Sequence, residues 1–69
     1  MTTLREYRVD LGWTQHELAN HAGIHPTLIK RAEDRERIQP KTAKAIADAL
    51  SKAYGKEIKP SEIEGLNIS

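Results

Sequence analysis

Thr14-Gln15-His16-Glu17-Leu18-Ala19-Asn20-His21-Ala22-Gly23-Ile24-His25-Pro26-Thr27-Leu28-Ile29-Lys30-Arg31-Ala32-Glu33 decides the fold. Thr14 is a good helix N-cap, and Glu17 three residues on completes a capping box. Trp13 before the cap and Leu18 at the fourth helical position have the spacing of a hydrophobic staple. Leu18, Ala19 and Ala22 turn inward. Gly23 ends this helix after about eight residues, because glycine accepts a positive φ without steric cost. A second helix begins almost at once. Pro26 suits a first helical position, where no N–H is needed, and His25 stands before it as a weaker cap. Ile29 and Ala32 recur at i, i+3, and Ile24 anchors the turn. Leu28, Lys30 and Arg31 fall on other faces.

Outward from this pair, breakers cut the chain into further short segments. Leu4, Tyr7 and Leu11 share one face of a first helix that stops near Gly12. Ala43, Ile46, Ala47 and Leu50 form the apolar stripe of a fourth helix, from about Pro40 to Tyr54, with Gly55 after it. Ser61 and Glu64 have capping-box spacing for a short fifth helix, where Ile63 and Leu66 cover the core and Ile58 packs below. No segment alternates with period two. The reading is all-α, with five helices and no sheet. Two short helices joined tightly around a glycine make residues 14–34 a helix-turn-helix unit.

Length and composition fit one domain over residues 1–69. So short a chain buries about 60% of its unfolded surface and has no room for a large enclosed substrate pocket. Cysteine is absent, so neither disulfides nor thiolate–metal sites hold it together. No apolar run approaches the ~20 residues of a membrane span, and no signal-peptide core is present. The chain reads as a small cytosolic helical domain. Its net charge is +1, but the distribution is uneven. Residues 24–44 hold six basic side chains against three acidic ones, while the remainder is net acidic. A basic centre on a near-neutral chain hints at a polyanionic partner.

These residues resemble the phage-repressor and Cro-type (XRE-like) helix-turn-helix domains over roughly residues 3–66. The resemblance is carried by Leu11-Gly12-Trp13-Thr14-Gln15, Leu18-Ala19, Ala22-Gly23-Ile24, Ile29 and Arg31-Ala32-Glu33, then by Pro40 and the alanine-rich fourth segment. Each pair alone is weak; the series in register is specific. The resemblance implies a compact five-helix bundle whose second and third helices read double-stranded DNA. It implies a sequence-specific transcription regulator, a small repressor acting as a dimer on half-sites about one turn, ~34 Å, apart. The expected setting is the cytoplasm, nucleoid-associated, in a bacterium or phage. No cofactor, small-molecule substrate or membrane is implied.

By the same resemblance Gln15 meets a phosphate at the start of its helix. Pro26, Thr27, Lys30 and Arg31 occupy base-reading positions of the third helix, and His25 borders them. Arg35, Arg37 and Lys41 fall where the family grips the backbone. Arg8 and Glu33 match a salt bridge between the first and third helices. Tyr54, Ile58, Leu66 and Ile68 mark an edge that in the family makes a dimer. Some positions depart from the pattern. Arg35 replaces the glycine that usually ends the third helix, which then ends later or differently. His25 replaces a Ser or Thr cap. Ala32 is smaller than the usual apolar residue, and Pro26 offers no side-chain donor.

Other motifs are set aside. His16 and His21 are five residues apart, about 140° around a helix, so they do not form the i, i+4 zinc pair. No metal site and no catalytic constellation stands out, and the chain reads as a non-enzyme. Asn67-Ile68-Ser69 is a formal glycosylation sequon at a terminus and is read as chance. An alternative of a different class is a protein–protein adaptor or an antitoxin-type module on the same fold. It would work through the edge near Ile58 and Leu66 rather than through Gln15, Thr27, Lys30 and Arg31.

Overall fold

Three caps set the order of the helices. A computed structural model describes residues 2–69; Met1, which the single-domain reading includes, lies outside the described residues. The short strand β1 (Thr2–Thr3) leads into α1 (Leu4–Asp10). Thr3 caps α1 in a full capping box with Glu6, and Thr14 does the same for α2 (Gln15–Ala22) with Glu17. Each box satisfies two backbone donors that a helix start otherwise leaves unpaired. Gly23 closes α2 at φ 70, where its N–H reaches back to Ala19 and Asn20. His25 then caps α3 (Pro26–Glu33). The short strand β2 (Arg37–Ile38) leads to α4 (Pro40–Tyr54), closed by Gly55.

The core lies between α2, α3 and α4, with α1 packed on α3. Leu18, Ile29, Ile46 and Leu50 are its largest fully buried side chains on these helices, joined by Leu4 of α1. The alanines Ala19, Ala32, Ala43 and Ala47 are buried between them. Small side chains at these positions let the short helices approach closely. Tyr7, Leu11, Trp13, Ile24, Tyr54 and Leu66 pack around the rim.

The fifth segment is not the expected fifth helix. Among the described residues there are four α-helices and a single 3-10 turn, at Pro60–Glu62. Ser61 and Glu64 do not form a capping box; Lys59 precedes the turn without a side-chain cap bond. Ile63 and Glu64 form β3, which runs parallel to β1, with Thr2 opposite Ile63. Asn67 and Ile68 form β4, parallel to β2, with Ile38 opposite Ile68. These two-residue bridges correct the expectation of no sheet. The reason is local. Gly65 turns at φ 85 only two residues after Ile63, and burying Ile63 requires extended backbone beside Thr2. Strands of two residues carry no period-two signal, so alternation cannot reveal them.

The chain turns after α3 without glycine. Arg35 adopts φ 63, the only non-glycine with positive φ among the described residues. α3 therefore ends at Glu33, with Asp34 as its C-cap, and the turn is kept despite the substitution. A left-handed L-residue costs roughly 1–2 kcal/mol. The Asn67 amide donates to Arg35 O at 3.4 Å, and the Arg35 side chain passes so close to Gly65 that a β-carbon there would lie 3.3 Å from its Nε. The C-terminal segment thus braces the strained turn.

Candidate nucleic-acid interface

The angle of α3 is held by a nearly buried ionic cluster. Arg8 Nε donates to Glu33 Oε2 at 2.5 Å and Arg8 Nη2 to Glu33 Oε1 at 3.0 Å. Arg8 Nη1 donates to Trp13 O at 2.9 Å, and Gln15 Nε2 to Glu33 Oε1 at 3.1 Å. The Arg8 and Glu33 side chains are 13% and 8% exposed. One carboxylate therefore ties together α1, the start of α2 and the end of α3. A bidentate arginine pair adds geometric definition as well as energy. Gln15 is half-buried at the first position of α2, so its amide is oriented by Glu33 before any partner arrives.

With Ile29 and Ala32 buried, the opposite face of α3 is exposed at Thr27, Lys30 and Arg31. Pro26 is half-buried at the first helical position and His25 is exposed before it. His25 Nδ1 accepts from Thr27 N–H at 3.1 Å. Arg31 and Arg37 line one shallow cleft with Leu28, Gln39 and Thr42. Lys41 is exposed at the start of α4, beside Gln39, whose side chain makes no cap bond. The structure thus places Thr27, Lys30 and Arg31 on the exposed face of α3, Arg37 in the same cleft as Arg31, and Lys41 in the first turn of α4.

Arg35 is placed elsewhere. Its guanidinium lies by Gly65, in a cleft with Thr3, Arg5 and Glu64, because the left-handed backbone turns it toward the C-terminal segment. Of the expected dimer edge, Ile58 is internal and Tyr54 is engaged within the chain. Ile58 is 2% exposed, and its N–H donates at 2.8 Å to Ser51 Oγ, which in turn donates to Ala47 O. Tyr54 is half-buried, donates to Tyr7 O at 2.8 Å and packs edge-on against the Tyr7 ring. Burial, followed by Asp10 and Tyr7, raises its phenol above the ordinary 10.0. Leu66 is half-buried, and only Ile68, at 38%, is exposed.

Asp34 was not among the expected site residues, yet it acts on one of them. Lys30 Nζ and Asp34 Oδ2 are 2.8 Å apart, both exposed. The carboxylate raises the Lys30 ammonium above its usual 10.5 and partly cancels its field. The i, i+4 spacing from Lys30 to Asp34 is a signal for this pair. Trp13 packs against the core from its rim. Its ring stacks on His21, with centroids 4.0 Å apart and planes within 6°.

No described helix is long and apolar enough to cross a membrane. Comparisons with curated proteins and with solved structures each found no match. A family model described as helix-turn-helix matches residues 4–57, from the first residue of α1 to beyond α4. The chain belongs to this family, the XRE-type helix-turn-helix domains of the Cro/C1 kind, a family of DNA-binding transcription regulators.

Proposed function

We propose that this chain is a sequence-specific regulator of transcription that reads double-stranded DNA with α3, a small repressor working as a dimer. The observation that carries the reading is the two-sided design of α3. Its inner face is fully buried, its end is tied to α1 and α2 through Glu33, and its outer face presents Thr27, Lys30 and Arg31. Such a helix can enter a major groove with its orientation already set. Arg31 suits guanine O6 and N7, and Thr27 suits a base edge or a thymine methyl. Gln15, Arg37 and Lys41 are assigned to phosphates, which position the domain without specifying sequence. Two copies would occupy half-sites about one turn, ~34 Å, apart. The cytoplasm is the compartment such a partner implies.

The adaptor or antitoxin-type alternative would use the edge near Ile58 and Leu66. Ile58 is withdrawn from that surface, so the α3 face is favoured. The test is duplex affinity against salt for the wild type, Arg31→Ala and Arg37→Ala. Arg31→Ala should lose roughly 1–3 kcal/mol on the preferred sequence and less on others. Arg37→Ala should weaken all sequences alike and lower the salt slope by about one. Undetectable binding by folded wild type at low salt would reject the DNA reading and move the adaptor reading ahead.

A further inference from the structure

We propose that His25 is a DNA-contacting residue: its cap bond holds the imidazole so that Nε2–H is offered to an acceptor on the duplex. The inference rests on the DNA-reading role of α3. His25 has extended backbone, φ −71 and ψ 140, at the N-terminus of that helix. Its Nδ1 accepts from Thr27 N–H at 3.1 Å. A ring nitrogen that accepts carries no proton, so the neutral imidazole keeps its single proton on Nε2. Among the described residues, Nε2 makes no hydrogen bond, and the residue is exposed.

The rest of this helix start offers little to a ligand. Pro26 has no N–H, Thr27 N–H is taken by His25 Nδ1, and Leu28 N–H donates to His25 O at 3.0 Å. A serine or threonine hydroxyl accepting the same backbone bond can still donate, but only from that same oxygen, close against the helix start. Imidazole separates the two tasks: one edge caps the helix, and the opposite edge presents a donor. That donor sits beside Thr27, at the end of the recognition helix that approaches base edges. Its complement is an acceptor: a phosphate oxygen, a purine N7, guanine O6 or thymine O4.

Two measurements test this. Nitrogen-15 NMR of the free protein, followed to the high-pH limit of the ring shifts, should show His25 protonated on Nε2 and bare on Nδ1; the reverse tautomer would overturn the proposal. Duplex binding is then compared for the wild type, His25→Gly and His25→Ala, with helix content checked by circular dichroism. Neither substitute has a side-chain donor, and glycine is an acceptable N-cap where alanine is a poor one, so a loss common to both reports the missing donor, whereas a loss in His25→Ala alone reports only the cap and overturns the proposal. We expect a loss of affinity of roughly three- to tenfold, the scale of one neutral hydrogen bond. An equal loss on all sequences identifies a phosphate oxygen, and a loss confined to one base position identifies a base acceptor. Undiminished affinity in both variants would reduce His25 to a cap and overturn the proposal. If the wild type itself binds no duplex, the DNA reading fails and this inference falls with it, whereas a loss in the variants alone leaves that reading standing.

Discussion

Replacing Glu33 with glutamine should be among the most damaging single changes open to this chain. Glu33 accepts from Arg8 twice and from Gln15 once, with its side chain 8% exposed. Glu33→Gln keeps the size but removes the charge, and Arg8, itself 13% exposed, is left as a cation with no anionic partner in the cluster. Breaking one side of a buried pair costs about 3–5 kcal/mol. Because both groups retain some contact with water, we place the loss near ~3 kcal/mol, at the low end of that range. For 69 residues, total stability is on the order of 3–10 kcal/mol. The loss is therefore a third or more of the whole, and corresponds to a fall in Tm of at least ~12 °C. Replacing both partners behaves differently: Arg8→Met with Glu33→Leu should lie within about 1 kcal/mol of wild type, since apolar packing offsets the lost pair. Urea unfolding of the wild type, both single variants and the double variant measures this as a cycle. A cost below about 0.5 kcal/mol for Glu33→Gln, or no coupling in the cycle, would refute the claim that this pair seats α3.

Three further changes probe other parts of the molecule. Arg35→Gly should raise stability by roughly 0.5–1 kcal/mol by relieving the left-handed backbone; thermal unfolding checks it, and a loss would mean that the packing of Arg35 on Gly65 outweighs the strain. Asp34→Asn frees Lys30 from its carboxylate partner and should tighten duplex binding and steepen its salt slope by up to about one; unchanged affinity and slope would mean that the freed ammonium gains no contact with the duplex. Tyr54 is raised above 10.0 by burial, so the folded state holds a proton that the unfolded chain releases. Its stabilising effect is complete below pH 10 and is lost as pH rises through the raised value. Tyr54→Phe should cost about 1 kcal/mol at neutral pH for the lost bond to Tyr7 O and show a shallower alkaline decline. Parallel alkaline curves for variant and wild type in urea unfolding would contradict this.

The helical frame was legible because its signals are local. Thr14, Glu17, Gly23 and Pro26 each act within a few residues, and the structure places α2 and α3 between them. The box of Thr3 and Glu6 is equally local and has the same spacing as that of Thr14 and Glu17. The C-terminal segment is not legible locally because its state depends on distant partners. Ser61 and Glu64 look like a cap in isolation, yet Ile63 gains more by pairing with Thr2 and filling the core. Ile58 and Tyr54 carried apolar character without any mark of whether it faces inward or outward. The bond to Ser51, seven residues before Ile58, and the bond from Tyr54 to Tyr7, 47 residues away, settle that, and neither is marked by a local spacing pattern.

At the site, the outward face of α3 followed from the i, i+3 placement of Ile29 and Ala32. The bond from Gln15 to Glu33 and the turning of Arg35 away from that face were not readable. Both depend on how α1 and the C-terminal segment pack against the end of α3.

The central claim is that the exposed face of α3 reads base sequence. The most direct measurement is selection of bound duplexes from a random DNA pool, by the wild type and by Arg31→Ala in parallel. We expect the wild type to enrich a motif repeated about one helical turn apart, and Arg31→Ala to lose its preference at one position of each half-site. Identical motifs from both proteins, or no enrichment by a folded wild type at low salt, would contradict it.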